Sequence, residues 1–218
     1  MTSTTGRLTL LLSGRGSNLQ AFLNAQEAGE LEGNITAVIS NRPGAPGLEI
    51  ARRAGIATEV VDHTLFASRE AFDLKLAETI DQFSPDVVVL AGFMRILTGP
   101  FVDKFRGRLI NIHPSLLPKY RGLNTHQRAI DAGEREAGAT VHFVTPDLDE
   151  GPGILQARVP IQHHDNAETL AARVLPVEHK LYPRAANLVL SGRAVLGDGV
   201  ALLDQHILPP GGEEWTPA

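Results

Sequence analysis

An asparagine and a histidine stand two residues apart in the segment 111–122, NIHPSLLPKYRG, where an apolar run gives way to a proline-containing loop. Side chains alternate between the faces of an extended strand, so Asn111 and His113 are expected to project to the same side. The carboxyl end of such a strand is the ligand-binding edge of an open α/β sheet. Because an imidazole transfers protons near neutral pH and an amide donates to an oxyanion, the pair predicts catalysis.

The loop at 145–153, TPDLDEGPG, supplies the carboxylates that could complete this group, namely Asp147, Asp149 and Glu150. It follows an apolar strand, so its acids reach Asn111 and His113 if the two strands run parallel or if the loop folds back. A nearby carboxylate would stabilise the charged form of the imidazole. Amide, imidazole and carboxylate, without a nucleophilic Ser or Cys in an elbow, suit direct acyl transfer to a nucleophile of the substrate. Chemistry alone does not choose among the three acids.

Two alternatives to catalysis stay open on these residues. His113 could cap a turn before Pro114, with the acids as solvated loop charges. His113, His142 and Asp149 could instead hold a metal, although no HExxH pattern is present. His142 lies inside an apolar strand, where a hydrogen-bonded core histidine is equally consistent. We therefore predict no metal site.

Gly14 and Gly16 stand between a predicted strand and a predicted helix, in LTLLLSGRGSNLQ. Such a loop aims the amino end of a helix at an anion, so Gly16, Ser17 and Asn18 are candidate phosphate ligands. A dinucleotide-binding loop would place a third glycine where Leu19 stands and would end the second strand on an acid. The loop therefore favours a phosphate monoester on a small substrate, and an ordinary turn is the alternative.

The composition narrows the class of partner. The chain has 218 residues, 43% of them hydrophobic, a net charge of −5 and no cysteine. This balance provides no basic field for nucleic acid, and the lack of cysteine excludes disulfides and thiolate chemistry. No apolar stretch approaches the roughly 20 residues of a membrane span. We therefore expect a cytoplasmic protein without nucleic-acid or membrane partners.

Short apolar runs alternate with amphipathic segments, which predicts an α/β fold with a Rossmann-like, doubly wound and mostly parallel sheet flanked by helices. The predicted strands lie at 8–12, 35–40, 58–61, 86–92, 108–112, 137–144 and 154–160. The predicted helices lie at 17–29, 47–55, 68–83, 125–132 and 167–191. Pro176 and Pro183 are expected to interrupt or kink the last helix, and a hairpin is expected to turn near Asp198 and Gly199.

The run AGFMRIL at 91–97 is apolar except for Arg95. It either packs in the core or forms a wall against which a flat apolar ligand lies.

Five ordered segments closely resemble the phosphoribosylglycinamide formyltransferases, a family of folate-dependent enzymes of purine synthesis. They are SGRGSNLQAF, SNRPGAPGLEIARRAGI, DVVVLAGFMRIL, NIHPSLLPKYRGLNTH and HFVTPDLDEGPGILQARVP, and the match spans roughly 8–190. The resemblance implies transfer of a formyl group from 10-formyltetrahydrofolate to the amine of glycinamide ribonucleotide, without a metal. It also implies the formyltransferase fold and allows a homodimer.

The resemblance assigns roles residue by residue. The catalytic residues are Asn111, His113 and Asp149, which selects one of the three loop acids. The residues assigned to the ribonucleotide substrate are Gly16, Ser17, Asn18 and Glu178. Those assigned to the folate are Arg69, Met94, Arg95, Ile96, Leu97, Val144 and Asp147.

The expected organisation is a single formyltransferase domain over 1–218. Its nucleotide-binding half covers about 1–105, its folate-binding and catalytic half about 106–208, and an irregular tail covers 209–218.

The chain departs from the family pattern in two loops and one helix. Pro146 stands where an acid is common, Arg121 where proline is frequent, and Leu175 with Pro176 where polar residues are frequent. Two relatives on the same scaffold fit less well. Methionyl-tRNA formyltransferase would need an additional carboxy-terminal domain and typically has alanine where Pro114 stands. Formyltetrahydrofolate hydrolase carries an additional amino-terminal domain. A catalytically silent folate- or nucleotide-binding module is the remaining alternative.

Overall fold

Five strands from the first half of the chain pair in parallel in the structure, a computed structural model that describes residues 6–216. They are β1 (Gly6–Leu12), β2 (Gly33–Ser40), β3 (Ala57–Val60), β4 (Val87–Leu90) and β5 (Leu109–His113). Across the sheet their order is β3-β2-β1-β4-β5. The direction of winding reverses between β1 and β4, and ligands bind at such a reversal in open α/β sheets.

The remaining strands extend this sheet and form a small second one. β6 (Glu136–Phe143) pairs antiparallel with β5, and β7 (Gly153–Pro160) pairs antiparallel with β6. A separate three-stranded sheet contains β8 (Ala194–Leu196), β9 (Ala201–Leu203) and β10 (His206–Ile207). β8 and β9 are antiparallel and form the predicted hairpin.

The last strand corrects the expectation of an irregular tail. β11 (Glu213–Glu214) pairs in parallel with Leu155 and Gln156 of β7 and becomes the eighth strand of the large sheet. A two-residue strand has no periodicity that a sequence could reveal, which explains why the prediction was wrong. Residues 217–218 of the expected tail lie outside the described residues.

Helices cover both faces of the large sheet, as the doubly wound class requires. They are α1 (Ser17–Glu27), α2 (Pro46–Arg53), α3 (Arg69–Asp81), α4 (Gly99–Lys104), α5 (Thr125–Asp131) and α6 (Ala167–Leu190). Leu10 of β1 packs in the core formed with α1, α2 and α6, whereas its neighbour Leu11 packs with α3 and α4. The predicted fold class is therefore confirmed.

Two helices differ from the prediction. α4 has only six residues and contains Pro100, so its sequence shows too little periodicity to predict it. α6 runs without interruption through Pro176 and Pro183, although each proline removes a backbone donor. Its buried stripe includes Leu170, Val174 and Leu181. We attribute the continuity of the helix to this packing against the sheet. The expected interruption was wrong, and the alternative that was expected, a kink, stays a prediction.

Tyr182 of α6 ties this helix to the middle of the sheet. The ring is fully buried and meets Phe22 edge-on, with ring centroids 5.2 Å apart. Its hydroxyl donates toward the carbonyl of Leu90 at 3.1 Å and toward that of Ile110 at 3.0 Å. Both carbonyls belong to strands whose ends form the site described below.

The Tyr182→Phe variant tests this anchor. It leaves the packed ring in place but removes the only donor that the two carbonyls receive from α6, so we expect a loss of about 1–2 kcal/mol in the free energy of unfolding. Urea titration measures this loss, and the slope of the transition should not change. Tyr120→Phe is the matched control, because the Tyr120 hydroxyl donates to Glu134 in a more accessible position and its loss should cost less. Equal stability of Tyr182→Phe and wild type would contradict the assignment.

Candidate active site

One cavity of about 600 Å³ opens at the winding reversal between β1 and β4. Both sequence-predicted groups of β5, Asn111 and His113, line it, as expected for alternate residues of one strand. Residues before position 105, such as Asn18 and Met94, line it together with residues after that position, such as Val144. The cavity is therefore built jointly by the two expected halves of the chain.

The acidic loop reaches this cavity by folding back. Because β6 is antiparallel to β5, Phe143 lies beside Ile110 and the loop begins near the amino end of β5, beyond Asn111 and His113. The loop then returns, and Asp149 Oδ2 lies 3.4 Å from His113 Nδ1, with both side chains buried. Of the two routes that the sequence left open, the structure uses this second one.

Only one of the three loop acids contacts the histidine. Asp149 takes a left-handed backbone conformation, with φ of 53°, and its Oδ2 accepts the Gly122 N–H at 3.0 Å. Asp147 is exposed at the cavity edge, and Glu150 forms an ion pair with Arg121. The geometry thus brings together the same acid, Asp149, that the family resemblance selects.

Both ring nitrogens of His113 lie beside hydrogen-bond acceptors. Nε2 lies 2.9 Å from the carbonyl of Tyr120, which can only accept, so this nitrogen donates to it. Nδ1 faces the carboxylate of Asp149 at 3.4 Å. The ring is therefore held between a carbonyl and a carboxylate at the cavity.

His142 is a site residue that sequence reasoning did not assign to catalysis. Burial lowers its pKa to about 4, against smaller opposing effects of the Phe143 carbonyl and Asp149. The neutral ring donates from Nδ1 to the Phe143 carbonyl at 2.9 Å, so Nε2 is an acceptor. It lies 3.4 Å from the Asn111 side-chain nitrogen and so orients that amide. Only the antiparallel register, which pairs Asn111 with His142, reveals this contact.

The glycine loop, residues 13–18, contributes one side chain to the cavity. Gly16 adopts a φ of 83°, and a Cβ there would lie 2.8 Å from Gly47 Cα, so both conformation and space require glycine. Asn18 lines the cavity, and its buried Oδ1 has no hydrogen-bond partner within residues 6–216. Gly16 and Ser17 directly precede Asn18 in the chain, but they do not line the cavity.

The apolar wall, residues 91–97, divides its side chains between core and cavity. Phe93 and Leu97 are buried in the core, whereas Met94 and Ile96 are 69% and 57% exposed. All seven residues except Ala91 line the cavity. Core packing is therefore confirmed for Phe93 and Leu97, which also line the cavity, whereas contact of the segment with a flat ligand stays a prediction.

The other predicted folate residues differ in whether they line the cavity. Val144 and Asp147 line the same cavity as this wall. Arg69 does not line the cavity, because it lies at the exposed start of α3. Its role in folate binding remains a prediction.

Glu178 of α6 points its carboxyl into the same cavity and is buried. Burial raises its pKa to about 7, so the carboxyl can exchange a proton near neutral pH. A buried acid that lines a ligand cavity is suited to bind an amine or hydroxyl group of a substrate.

The part of the chain that the structure describes contains neither a group of metal-ligating side chains nor a membrane-spanning helix. Across residues 6–216, no three His, Asp or Glu side chains are grouped as metal ligands. His142 fits the hydrogen-bonded alternative, since both of its nitrogens have partners within the protein. None of the helices within this range is long and apolar enough to cross a membrane.

Residues 6–186 match the family described as Formyl transferase, and the chain belongs to this family. It is 50% identical over 205 residues to phosphoribosylglycinamide formyltransferase of Escherichia coli K12, covering 94% of this chain and 97% of that one. It is 47% identical over 192 residues to the trifunctional purine biosynthetic protein adenosine-3 of Homo sapiens, covering 88% of this chain but 19% of that longer protein.

Solved structures show the same relationship. The phosphoribosylglycinamide formyltransferase of Coxiella burnetii superposes with a TM-score of 0.93 at 47% identity, covering 97% of this chain and 99% of that chain. A formyltetrahydrofolate deformylase of Pseudomonas syringae superposes with a TM-score of 0.84 at 28% identity, covering 92% of this chain and 66% of that chain.

The raised pKa of Glu178 predicts how stability depends on pH. Since the folded-state pKa of about 7 lies above the ordinary 4.5, the folded protein binds this proton more tightly than the unfolded chain does. Its stabilising effect is complete below about pH 4.5 and is lost as the pH rises through about 7. Glu178→Gln should remove this dependence, which is on the order of 3 kcal/mol between about pH 5 and pH 8.

Urea unfolding of the wild type and Glu178→Gln at both pH values measures the difference. Glu168→Gln, in the exposed first turn of the same helix, is the control and should keep the pH dependence of the wild type. If wild type and Glu178→Gln respond equally to pH, the carboxyl does not titrate in this window.

Proposed function

We propose that this protein transfers a formyl group from 10-formyltetrahydrofolate to the amine of glycinamide ribonucleotide. The products are formylglycinamide ribonucleotide and tetrahydrofolate, in de novo purine synthesis. The observation that carries the proposal is the buried contact of His113 with Asp149, beside Asn111, in a cavity between the glycine loop and the apolar wall. The names of its full-length relatives support the same reaction.

The reaction is a direct transfer. The lone pair of the substrate amine forms a bond to the formyl carbon, and the carbonyl electrons move to the oxygen. The tetrahedral oxyanion then collapses and breaks the bond to N10 of the folate, which takes up a proton, while the substrate nitrogen loses one. Asn111 and charged His113 donate hydrogen bonds to the oxyanion, and Asp149 keeps His113 charged and helps relay the proton.

The hydrogen bonds of the site determine which N–H groups of Asn111 and His113 are free to bind the oxyanion. His142 accepts one N–H of the Asn111 amide, which leaves the other N–H for the oxyanion. His113 uses Nε2 on the Tyr120 carbonyl, and Nδ1 faces Asp149. For Nε2 to donate to the oxyanion, the bond to Tyr120 must open while the contact with Asp149 remains.

The two substrates fit different parts of the cavity. We assign the phosphate to Gly16, Ser17 and Asn18 at the amino end of α1, of which Asn18 lines the cavity. We assign the glycinamide part to Glu178. The folate lies along the apolar wall and against Val144 and Asp147. Arg69 is proposed to contact the glutamate tail, which would extend beyond the cavity.

The proposal includes a cytoplasmic location, which is supported by a chain without cysteine and by substrates of central metabolism. It also includes a homodimer, suggested by the family resemblance alone. Sedimentation of the purified protein tests the oligomeric state.

The direct test mixes purified protein with both substrates and follows the formation of tetrahydrofolate. We expect release that requires glycinamide ribonucleotide, because the amine is the acceptor. Release without the amine would indicate a hydrolase of the deformylase kind, and binding of folate without any release would indicate a silent module. Activity should survive exhaustive chelation, and its loss would contradict a mechanism without metal.

The Asn111→Ala variant tests the oxyanion donor. Losing one such donor costs about 2.7–4 kcal/mol in the barrier, so turnover should fall by about 10²–10³ while the fold is retained. Asn34→Ala, at an exposed position of β2, is the matched control and should keep wild-type turnover. Steady-state kinetics with both substrates saturating measures the change. Near-normal turnover of Asn111→Ala would contradict the assignment of Asn111 as an oxyanion donor.

A further inference from the structure

A buried polar cluster beside the apolar wall has no part in the mechanism proposed above. It consists of Ser13 after β1, Asn41 after β2 and His63 in a short 3₁₀ helix, His63–Leu65. Ser13 and Asn41 are almost completely buried. A buried polar side chain is destabilising unless hydrogen bonds compensate its desolvation. The bonds of this cluster therefore show which segments it holds in place.

Ser13 holds the apolar wall at two points. Its backbone N–H donates to the carbonyl of Gly92 at 3.1 Å. Its Oγ accepts the N–H of Met94 at 2.8 Å. The side chain of Met94 is largely exposed, so packing does not hold it. The hydrogen bond of its backbone N–H to Ser13 holds this residue in place.

Asn41 fixes the direction of the Ser13 hydroxyl. Since Oγ already accepts the Met94 N–H, the hydroxyl uses its only proton to donate to Asn41 Oδ1 at 2.6 Å. His63 Nδ1 lies 2.8 Å from the carbonyl of Asn41 and donates to it. The hydroxyl is thereby held with its lone pair toward the wall.

The place of Ser13 in the chain gives these bonds a functional meaning. Ser13 is also the first residue of the glycine loop, which leads to Asn18 and α1. One residue therefore fixes the relative position of the loop assigned to the phosphate and the wall assigned to the folate. Direct transfer requires the reacting atoms to lie about 3–3.5 Å apart, and small displacements of these atoms lower the reaction rate strongly.

We infer that Ser13 is a positioning residue that sets the distance between the two bound substrates. The inference rests on the proposed function, because it assigns the loop and the wall to different substrates. Removing the hydroxyl leaves the Met94 N–H without its acceptor, so the wall can shift relative to the glycine loop.

The Ser13→Ala variant tests this inference against a close control. Ser40→Ala also removes a fully buried hydroxyl at the end of a neighbouring strand, but Ser40 Oγ bonds only to the backbone of Arg42, at 3.0 and 2.9 Å. Turnover with both substrates saturating, the KM of each substrate and the pH profile are measured for both variants. The affinity for tetrahydrofolate is measured by calorimetry.

For Ser13→Ala we expect turnover and tetrahydrofolate affinity each to fall by about tenfold, because the unpaired amide weakens the wall by an amount of that order. The pH profile should not change, since His113 and Asp149 keep their contacts. Ser40→Ala should stay within about twofold of wild type, because a displaced Arg42 backbone does not touch the cavity. Ser13→Thr keeps the hydroxyl and should restore both quantities.

Thermal melting confirms that each variant is folded, and Ser13→Cys, which keeps the volume but bonds weakly, replaces Ser13→Ala if that variant does not fold. A folded Ser13 variant that lacks the hydroxyl but has wild-type turnover and affinity would overturn the inference. Equal losses in Ser13→Ala and Ser40→Ala would do the same, since they would indicate a general effect of packing. If the wild type binds tetrahydrofolate but transfers no formyl group, the proposed function fails, and the affinity measurement alone still judges the role of Ser13.

Discussion

The contact of His113 with Asp149 depends on a loop that returns toward the strand it has just passed. β6 ends beside the amino end of β5, away from His113. The loop then returns toward His113. Its return is stabilised by the hydrogen bond from the Gly122 N–H to Asp149, and Asp149 itself has a left-handed backbone conformation. The carboxylate oxygen then lies 3.4 Å from Nδ1 of the imidazole. The function proposed for the cavity, its wall and the oriented amide of Asn111 depends on this contact.

The polar groups around this contact are held in place by hydrogen bonds within the protein. His142, whose pKa is lowered to about 4 by burial, orients Asn111, whereas His113 lies between the Tyr120 carbonyl and the Asp149 carboxylate. Two histidines on neighbouring strands thus have different hydrogen-bond partners. The protein obtains an acceptor from one and a donor from the other.

Much of the fold was predictable from the sequence, because apolar runs such as Val87–Leu90 are buried on both faces and end at turns. The direction of β6 was not, since alternation of side chains is identical in parallel and antiparallel strands. For the site, spacing predicted Asn111 and His113, but three acids in one loop look alike until the loop is folded. Only the family resemblance separated Asp149 from Asp147 and Glu150, and His142 emerged only from strand register.

The pairing of β11 with β7 has a consequence for association with other chains. Glu213 and Glu214 pair with Leu155 and Gln156, so they cover two of the eight residues of β7. An open strand edge has backbone donors and acceptors to which other chains can add, and charged side chains at the edge oppose such addition. The two exposed glutamates of β11 therefore place negative charge on the outermost strand of the large sheet, where it opposes edge-to-edge pairing.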